Sequence, residues 1–158
     1  DPKGKGRPRF RRIGKFTSTY TPKETIEYEN KVKKSFKETV GKDFVPYQCP
    51  VKANITCYMR IPKSLSKKKQ EEIDGSPHTS KPDTDNIEKA VLDPLNEIAY
   101  KDDSQVYDIH GSKYYSTNPR VEVSLYPYNN NLISPFRIDQ KPLITPIRFV
   151  EPCNVIYY

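Results

Sequence analysis

Five charged side chains in the middle of the sequence have types and spacings suited to metal-dependent chemistry. Asp83 and Asp85 are two residues apart, Lys89 follows four residues after Asp85, and the pair Asp102–Asp103 comes after an apolar-periodic segment. Carboxylates that lie close together repel one another unless a cation sits between them, and Mg²⁺ or Mn²⁺ prefers such oxygen ligands. We therefore predict a Mg²⁺ site, with Mn²⁺ as a substitute ion, held by Asp83, Asp85 and Asp103, with Asp102 as a candidate fourth ligand.

Each acidic motif also has an ordinary structural interpretation when it is taken alone. An Asp-x-Asp sequence often caps the start of a helix, and an Asp-Asp pair often lies in a solvated turn. Their combination with Lys89 favours the metal site. Lys89 itself has two roles open to it. It can stabilise charge on a phosphate or orient an attacking water, or it can form an ion pair with Asp85, which a four-residue spacing on a helix permits.

One helix is predicted to carry this site. Pro82 disfavours helix in the residue before it, and Asp83, Thr84 or Asp85 can cap the first free amides. Apolar residues then recur at the spacings of three and four that are typical of a buried helix face. That face is predicted to consist of Ile87, Ala90, Val91, Leu95 and Ile98.

The two ends of this helix are predicted to form the site together. A strand is predicted after Asp103, and if it packs back along the helix, Asp103 can meet Asp83 and Asp85. Pro94 lies inside the helical pattern, where it removes a backbone hydrogen bond and is expected to kink or split the helix.

This stretch also resembles a known family. The motifs that carry the resemblance are KPDTDN at 81–86, KA at 89–90, Asp93, LN at 95–96 and KDDSQV at 101–106, supported by KGKGRPR at 3–9 and YTP at 20–22. They are similar to those of the RusA-type Holliday junction resolvases, over residues 1–127. The resemblance implies an endonuclease that resolves four-way DNA junctions by paired nicks, and it implies a homodimer.

The positive charge of the chain is concentrated at its N-terminus. The net charge is +7, and residues 1–50 hold 13 basic and 6 acidic side chains, so the remainder is neutral. Glycines and prolines keep the basic strip at 1–15 out of helix, and such a strip can contact phosphates by charge. The alternative is a tail that only confers solubility. The predicted nucleic-acid contacts are Lys3, Lys5, Arg7, Arg9, Arg11, Arg12 and Lys81.

The remaining pattern predicts an α+β fold in which helices pack on a mixed β-sheet. Thr21 and Pro22 predict the start of a helix that runs to about Val40. Strict alternation predicts a strand at 51–61, and a short polar helix follows at 64–74. Two further strands, at 105–115 and 120–126, are joined by a turn at 116–119. The folded domain is expected to be 1–127, with an irregular tail rich in Asn and Pro at 128–158.

Three cysteines without metal-type spacing indicate a reducing compartment, and Cys57 is expected in the core. The sequence shows no membrane-spanning run and no signal peptide, so we expect a cytoplasmic protein of a bacterial or phage-infected cell. His78 lies five residues before Asp83 and can be a site residue, although a plain loop histidine is the favoured interpretation. Lys113 is expected to point into the gap between the metal site and the surface.

Together these features predict a magnesium-dependent, structure-selective endodeoxyribonuclease that acts on four-way or other branched DNA in recombination and repair. Two alternatives from other classes stay open. A non-catalytic protein that binds branched DNA would need only the basic strip. A magnesium-dependent phosphatase or phosphotransferase could use Asp-x-Asp, although a Gly-rich phosphate loop is not seen. A two-fold symmetric junction that needs two cuts fits a homodimer.

Overall fold

Strand β3 (Val51–Arg60) runs through the middle of the fold. The computed structural model describes residues 1–6, 9–13, 16–128 and 147–150. In β3, every second side chain from Val51 to Met59 is buried, and the side chains between them are partly exposed. The alternation predicted from the sequence is confirmed, because a strand places successive side chains on opposite faces.

The strand is part of a mixed sheet with the order β4 (Val106–Ser116), β3, β5 (Arg120–Pro127), β6 (Ile147–Val150). β4 is parallel to β3, and the other neighbouring pairs are antiparallel. The turn predicted after β4 is present, but β4 and β5 do not pair with each other. The short connection between them crosses the end of β3, which lies between the two strands.

Two helices cover one face of this sheet, and the α+β class is confirmed. α1 (Lys23–Val40) and α3 (Thr84–Leu92) contact each other. Their apolar faces join the buried side chains of β3 and β5 in one hydrophobic core. The helical residues in this core are Tyr28, Val32, Phe36, Ile87, Ala90, Val91 and Leu92.

The helix ends predicted from the sequence are correct to within a few residues. α1 begins one residue later than expected, because Pro22 takes the cap position with extended backbone and Thr21 precedes it. Gly41 ends α1 with a φ of 83°, and its N–H donates to the Lys37 carbonyl at 3.0 Å; this φ suits a residue that lacks Cβ. α2 (Lys67–Ile73) is shorter than predicted, and the Ser66 hydroxyl accepts from the Lys69 amide.

Pro94 splits the helix that carries the acidic residues, as expected. α3 ends at Leu92, and a short 3₁₀ turn (Asp93–Leu95) follows it. The buried Tyr100 hydroxyl donates to the Leu92 carbonyl at 2.7 Å and so fastens the segment after the break to the end of α3. Leu95 is fully buried although it lies beyond the helix, so part of the predicted apolar face belongs to this segment.

The two chain termini add strands outside the centre of the fold. β1 (Arg9–Ile13) pairs with β2 (Phe16–Tyr20) in an antiparallel hairpin, which agrees with the extended basic strip expected from the sequence. β6 lies within the segment expected to be irregular. The other residues of that tail after Tyr128 lie outside the part of the chain that the structure describes.

Cys57 is a core residue, as predicted. It is 1% exposed, and burial, with a smaller contribution from the charge of Glu88, raises the pKa of its thiol to about 12. The thiol therefore stays protonated at neutral pH, in its unreactive form. None of the helices in the described ranges is long and apolar enough to cross a membrane.

Candidate catalytic site

Asp83 and Asp85 lie at the N-terminal end of α3, with both side chains exposed. Asp83 is the N-cap residue, with φ −69° and ψ 150°, but its carboxylate makes no capping hydrogen bond. Asp85 is in the first turn, where the helix dipole favours a negative charge. The Asp83 side chain therefore does not cap the helix, so capping does not compete with metal binding there. Two carboxylates face solvent within one turn of α3.

Lys89 lies one turn after Asp85 on the same side of the helix. The Lys89 Nζ is 3.9 Å from the Asp85 carboxylate, and each side chain is 63% exposed. An exposed pair with this separation contributes little to stability. The ion pair foreseen from the spacing forms, and its length leaves the ammonium able to turn toward a phosphate.

Glu88 is a third carboxylate beside this pair, and it was not among the residues predicted for the site. It is half-buried, and its side chain packs against Gly111 of β4, where a Cβ atom would collide with the carboxylate. Burial raises the pKa of Glu88, the charge of Asp85 raises it further, and His110 and Lys89 oppose the rise. The three-residue spacing from Asp85 was the available signal, because residues at this spacing share a helix face.

Asp102 and Asp103 differ in what their side chains do. The Asp102 carboxylate caps the 3₁₀ turn Asp103–Gln105, accepting from the Ser104 amide at 2.9 Å and from its hydroxyl, while the Gln105 side chain accepts from the Asp102 amide. These Ser104 hydrogen bonds lower the pKa of Asp102. Asp103 is exposed, and its carboxylate is not part of that cap. Of the two, Asp103 is the better candidate ligand.

β4 packs against α3 and runs antiparallel to it. The segment just before β4 lies at the C-terminal end of α3, where Tyr100 bonds Leu92. The middle of β4 reaches the N-terminal end, where Gly111 lies against Thr84 and Glu88. Residues from the middle of the strand therefore meet the start of the helix.

Asp103 is consequently far from the aspartate pair of its own chain. Lys113 of β4 contacts the Pro82 carbonyl, next to Asp83. β4 begins at Val106, shortly after Asp103. The stretch from Val106 to Ser112, which directly precedes Lys113, spans about 20 Å at roughly 3.3 Å per residue. Across the described ranges, no three His, Cys, Asp or Glu side chains are grouped so that they could hold one metal ion. The expected meeting of Asp103 with Asp83 and Asp85 does not occur within one chain, because helix and strand are antiparallel.

The chemistry of the donors at the start of α3 still fits Mg²⁺. Mg²⁺ usually keeps several waters and needs only one or two protein carboxylates. Asp83 and Asp85 supply two exposed carboxylates, and the Asp83 carboxylate makes no capping hydrogen bond that metal binding would have to break. Asp103 of the same chain is too distant to complete the predicted ligand set of Asp83, Asp85 and Asp103.

The N-terminal segment lies along α3. The Lys5 amide donates to the Asn86 carbonyl at 2.9 Å, and the Lys5 ammonium forms an ion pair with Asp93. Gly4 is so close to Pro82 that an added Cβ would be 2.9 Å from the proline Cβ. Lys5, predicted to contact DNA, is thus engaged with the protein itself.

The other predicted DNA contacts have different placements. Lys3 is half-buried, and Lys81 and Arg9 are exposed. Arg7 and the side chains of Arg11 and Arg12 lie outside the described residues. His78 packs its ring on Tyr115, with the ring centroids 4.5 Å apart, which agrees with the loop interpretation. Burial, and then the Lys113 charge, lower the pKa of His78.

A mixed sheet covered by two helices, with paired carboxylates and a lysine exposed on the first turns of one helix, defines an α+β protein with a candidate metal-dependent site. The family model of endodeoxyribonuclease RusA matches residues 1–126. The chain belongs to the RusA endodeoxyribonuclease family, as its motifs indicated. It is also similar to an uncharacterized protein, YqaN, of Bacillus subtilis (strain 168), with 49% identity over 80 residues. That match covers 48% of this chain, and the chain spans 56% of the relative's length.

Proposed function

We propose that this protein is a magnesium-dependent, structure-selective endodeoxyribonuclease that resolves four-way or other branched DNA junctions by paired nicks. The observation that carries the proposal is the exposed set of Asp83, Asp85 and Lys89 at the start of α3, in a chain of the RusA family. We propose that it acts in DNA recombination and repair, in the cytoplasm of a bacterial or phage-infected cell.

Each residue of the set has a separate task in the proposed reaction. Asp83 and Asp85 would hold Mg²⁺, which when bound activates a water and stabilises the leaving oxygen. Lys89 is long and exposed, and its ion pair with Asp85 is loose at 3.9 Å. It can therefore turn from Asp85 toward the scissile phosphate and stabilise the charge that develops there.

We further infer that the active form is a homodimer in which Asp103 acts on the site of the other subunit. Two observations support this inference. A four-way junction has two-fold symmetry and needs two cuts, which suits two identical sites. Asp103 is also exposed and lies near the end of α3 opposite to the aspartate pair of its own chain, so a second copy is a source for the third carboxylate.

The proposal is tested by incubating the purified protein with an end-labelled four-way junction and with a linear duplex of the same sequence, each with Mg²⁺ and with EDTA. We expect paired nicks in the junction only, and only with Mg²⁺. A protein that binds the junction tightly under both conditions and never cuts it would instead be a non-catalytic branched-DNA-binding protein.

A further inference from the structure

Lys113 is a lysine on the helix-covered face of β4. It is in register with Cys57 of β3, which is 1% exposed, and it is itself half-buried. Its ammonium donates to the Ser80 carbonyl at 2.9 Å and to the Pro82 carbonyl at 2.7 Å. Both acceptors belong to the loop that leads into Asp83, so Lys113 acts on the chain just before the candidate site.

The same loop is attached to the outer edge of β4 by its backbone. The Gly75 amide donates to the Tyr115 carbonyl, the Tyr115 amide to the Ser76 carbonyl, and the His78 amide to the Lys113 carbonyl, at 2.8 to 3.0 Å. These bonds fix the first half of the loop. The Lys113 ammonium fixes the second half, with bonds that a positive charge strengthens.

The hydrogen bond from Lys113 to the Pro82 carbonyl determines the direction in which the Asp83 side chain leaves the backbone. The Pro82 carbonyl and the Asp83 amide belong to one planar peptide group, so holding the carbonyl also holds the plane that precedes the Asp83 Cα. The plane that follows is held as well, because the Asp83 carbonyl accepts from the Ile87 amide at 3.2 Å. With both planes fixed, the Cα–Cβ bond of Asp83 has one direction. The Asp83 carboxylate has no capping bond of its own to orient it.

We propose that Lys113 is a positioning residue for DNA cleavage, which sets the direction of the Asp83 carboxylate through the Pro82–Asp83 peptide and does not touch the substrate. This inference rests on the proposed nuclease function. Because β4 runs antiparallel to α3, the middle of β4 lies beside the candidate site, and Lys113 gives that part of the strand a role there. It also separates Lys113 from Lys89, whose ammonium is exposed and able to meet a phosphate.

The test compares Lys113→Met, Lys113→Arg and the control Lys52→Met. Lys52 is a lysine of the same sheet whose ammonium pairs with Asp108 at 2.7 Å, on the face away from the helices. For each variant we would measure junction binding in EDTA, single-turnover cleavage, the Mg²⁺ concentration for half-maximal rate, and the rise in melting temperature caused by Mg²⁺, which reports metal binding without activity.

We expect Lys113→Met to bind the junction as the wild type does but to cleave it about tenfold or more slowly, because small displacements of reacting groups are costly. Its half-maximal Mg²⁺ concentration should rise and its Mg²⁺-induced stabilisation should shrink. Lys113→Arg should recover part of both, since a guanidinium can still donate to two carbonyls. Lys52→Met should match the wild type throughout.

Cleavage by Lys113→Met within threefold of wild type, with an unchanged Mg²⁺ requirement, would overturn the inference, and so would an equal loss in Lys52→Met. If the wild type itself does not cut junctions, the proposed function fails. The Mg²⁺-induced stabilisation then decides whether Lys113 orients Asp83 for metal binding: its loss in Lys113→Met but not in Lys52→Met supports that orientation, and its retention in both overturns it. If Lys113→Met does not fold, Lys113→Gln, whose shorter amide cannot reach both carbonyls, takes its place under the same criteria.

Discussion

The two ends of the split acidic helix carry carboxylates in opposite situations. At the C-terminal end, Asp93 is paired with the ammonium of Lys5, and Asp102 is taken up in a cap with Ser104. At the N-terminal end, Asp83 makes no capping bond and Asp85 has a long, exposed pairing with Lys89. The acidic side chains at the two ends thus divide into Asp93 and Asp102, which hold parts of the fold together, and Asp83 and Asp85, whose exposed charge stays available to a metal ion.

The largest difference in cleavage rate should appear between two variants that each lose one carboxylate charge, one at each end of the helix. We expect Asp85→Asn to retain junction binding and to lose cleavage by about 10²-fold or more, since a group that organises the reacting charge is removed while the shape is kept. Asp93→Asn is the matched control at the other end and should cleave like the wild type. Single-turnover cleavage measures both. Near-normal cleavage by Asp85→Asn, or equal losses in the two variants, would remove the distinction.

Subunit mixing would show at which end of the helix, and in which subunit, Asp103 acts. Asp85→Asn and Asp103→Asn homodimers are each expected to be inactive. If Asp103 serves the other subunit, a heterodimer of the two variants combines both substitutions in one site and leaves the second site intact, so the mixture should recover single nicks at about half the wild-type rate per heterodimer. A mixture of exchanged subunits that stays inactive would place Asp103 in the site of its own chain, and an active Asp103→Asn homodimer would place it outside any site.

Lys89→Met separates the two roles of Lys89. If Lys89 acts on the phosphate, the variant should fold and bind DNA normally yet cleave very slowly, and arginine should not rescue it fully, because a planar guanidinium differs from an ammonium in shape. If Lys89 only pairs with Asp85, the loss is about 0.3–0.5 kcal/mol of stability, with most activity kept. We expect the first outcome.

The chain offers a control pair with the same spacing, although its base precedes its acid along the helix. Lys34 pairs with Glu38 at 3.8 Å, also four residues apart and exposed, on α1. Lys34→Met should show the small stability change and no change in cleavage. Cleavage by Lys89→Met within a fewfold of wild type would remove Lys89 from the catalytic residues.

The basic strip should affect binding more than chemistry. Replacing Arg7, Arg9, Arg11 and Arg12 with alanine should weaken junction binding and reduce the slope of log K against log salt by roughly 0.9 for each phosphate that the strip no longer neutralises. Replacing four exposed lysines around α2, Lys63, Lys67, Lys68 and Lys69, changes the net charge equally and should leave the slope nearly unchanged. Equal slopes in the two variants would show that the strip has no specific place against DNA.

The smallest expected effect concerns the loop before Asp83. Burial and the Lys113 charge lower the pKa of His78, so protonation is easier in the unfolded chain. The folded protein favours neutral His78, so this residue does not lower the free energy of unfolding while the pH stays above about 6.5, the pKa of histidine in the unfolded chain. As the pH falls from there through the lower pKa of His78 in the folded protein, the free energy of unfolding decreases. His78→Gln should reduce the loss of melting temperature between about pH 7.5 and about pH 5.5, the range that spans this titration. An unchanged loss would mean that other groups cause it.

Periodicity was sufficient to predict most of the fold. The alternation of β3, the apolar face of α3 and the break at Pro94 are local consequences of side-chain pattern and backbone chemistry, and each is confirmed. The sheet order was less accessible, because nothing local shows that β3 lies between β4 and β5. That order depends on which strands bury their faces together, over long separations along the chain.

For the candidate site, the sequence indicated which side chains share one helix end, but not the direction of the strand that follows. Asp83, Asp85 and Lys89 share a helix, so their spacing implied their proximity. Asp103 joined them only if the following strand had a particular direction, and the antiparallel path of β4 brings Gly111 and Lys113 there in its place. Lys113 contacts backbone carbonyls of the loop before Asp83, and Glu88 packs on a glycine, and a search for charged motifs detects neither arrangement.

The position of the bound metal would decide most directly between the two ends of the helix. Crystals of the wild-type protein soaked in Mn²⁺ should show an anomalous scattering peak within coordination distance of the Asp83 and Asp85 carboxylates, and the peak should be absent in Asp85→Asn. A protein that cleaves junctions with Mn²⁺ but binds the ion at the Asp93–Asp102 end of the split helix, or away from it altogether, would contradict a catalytic site at the start of α3.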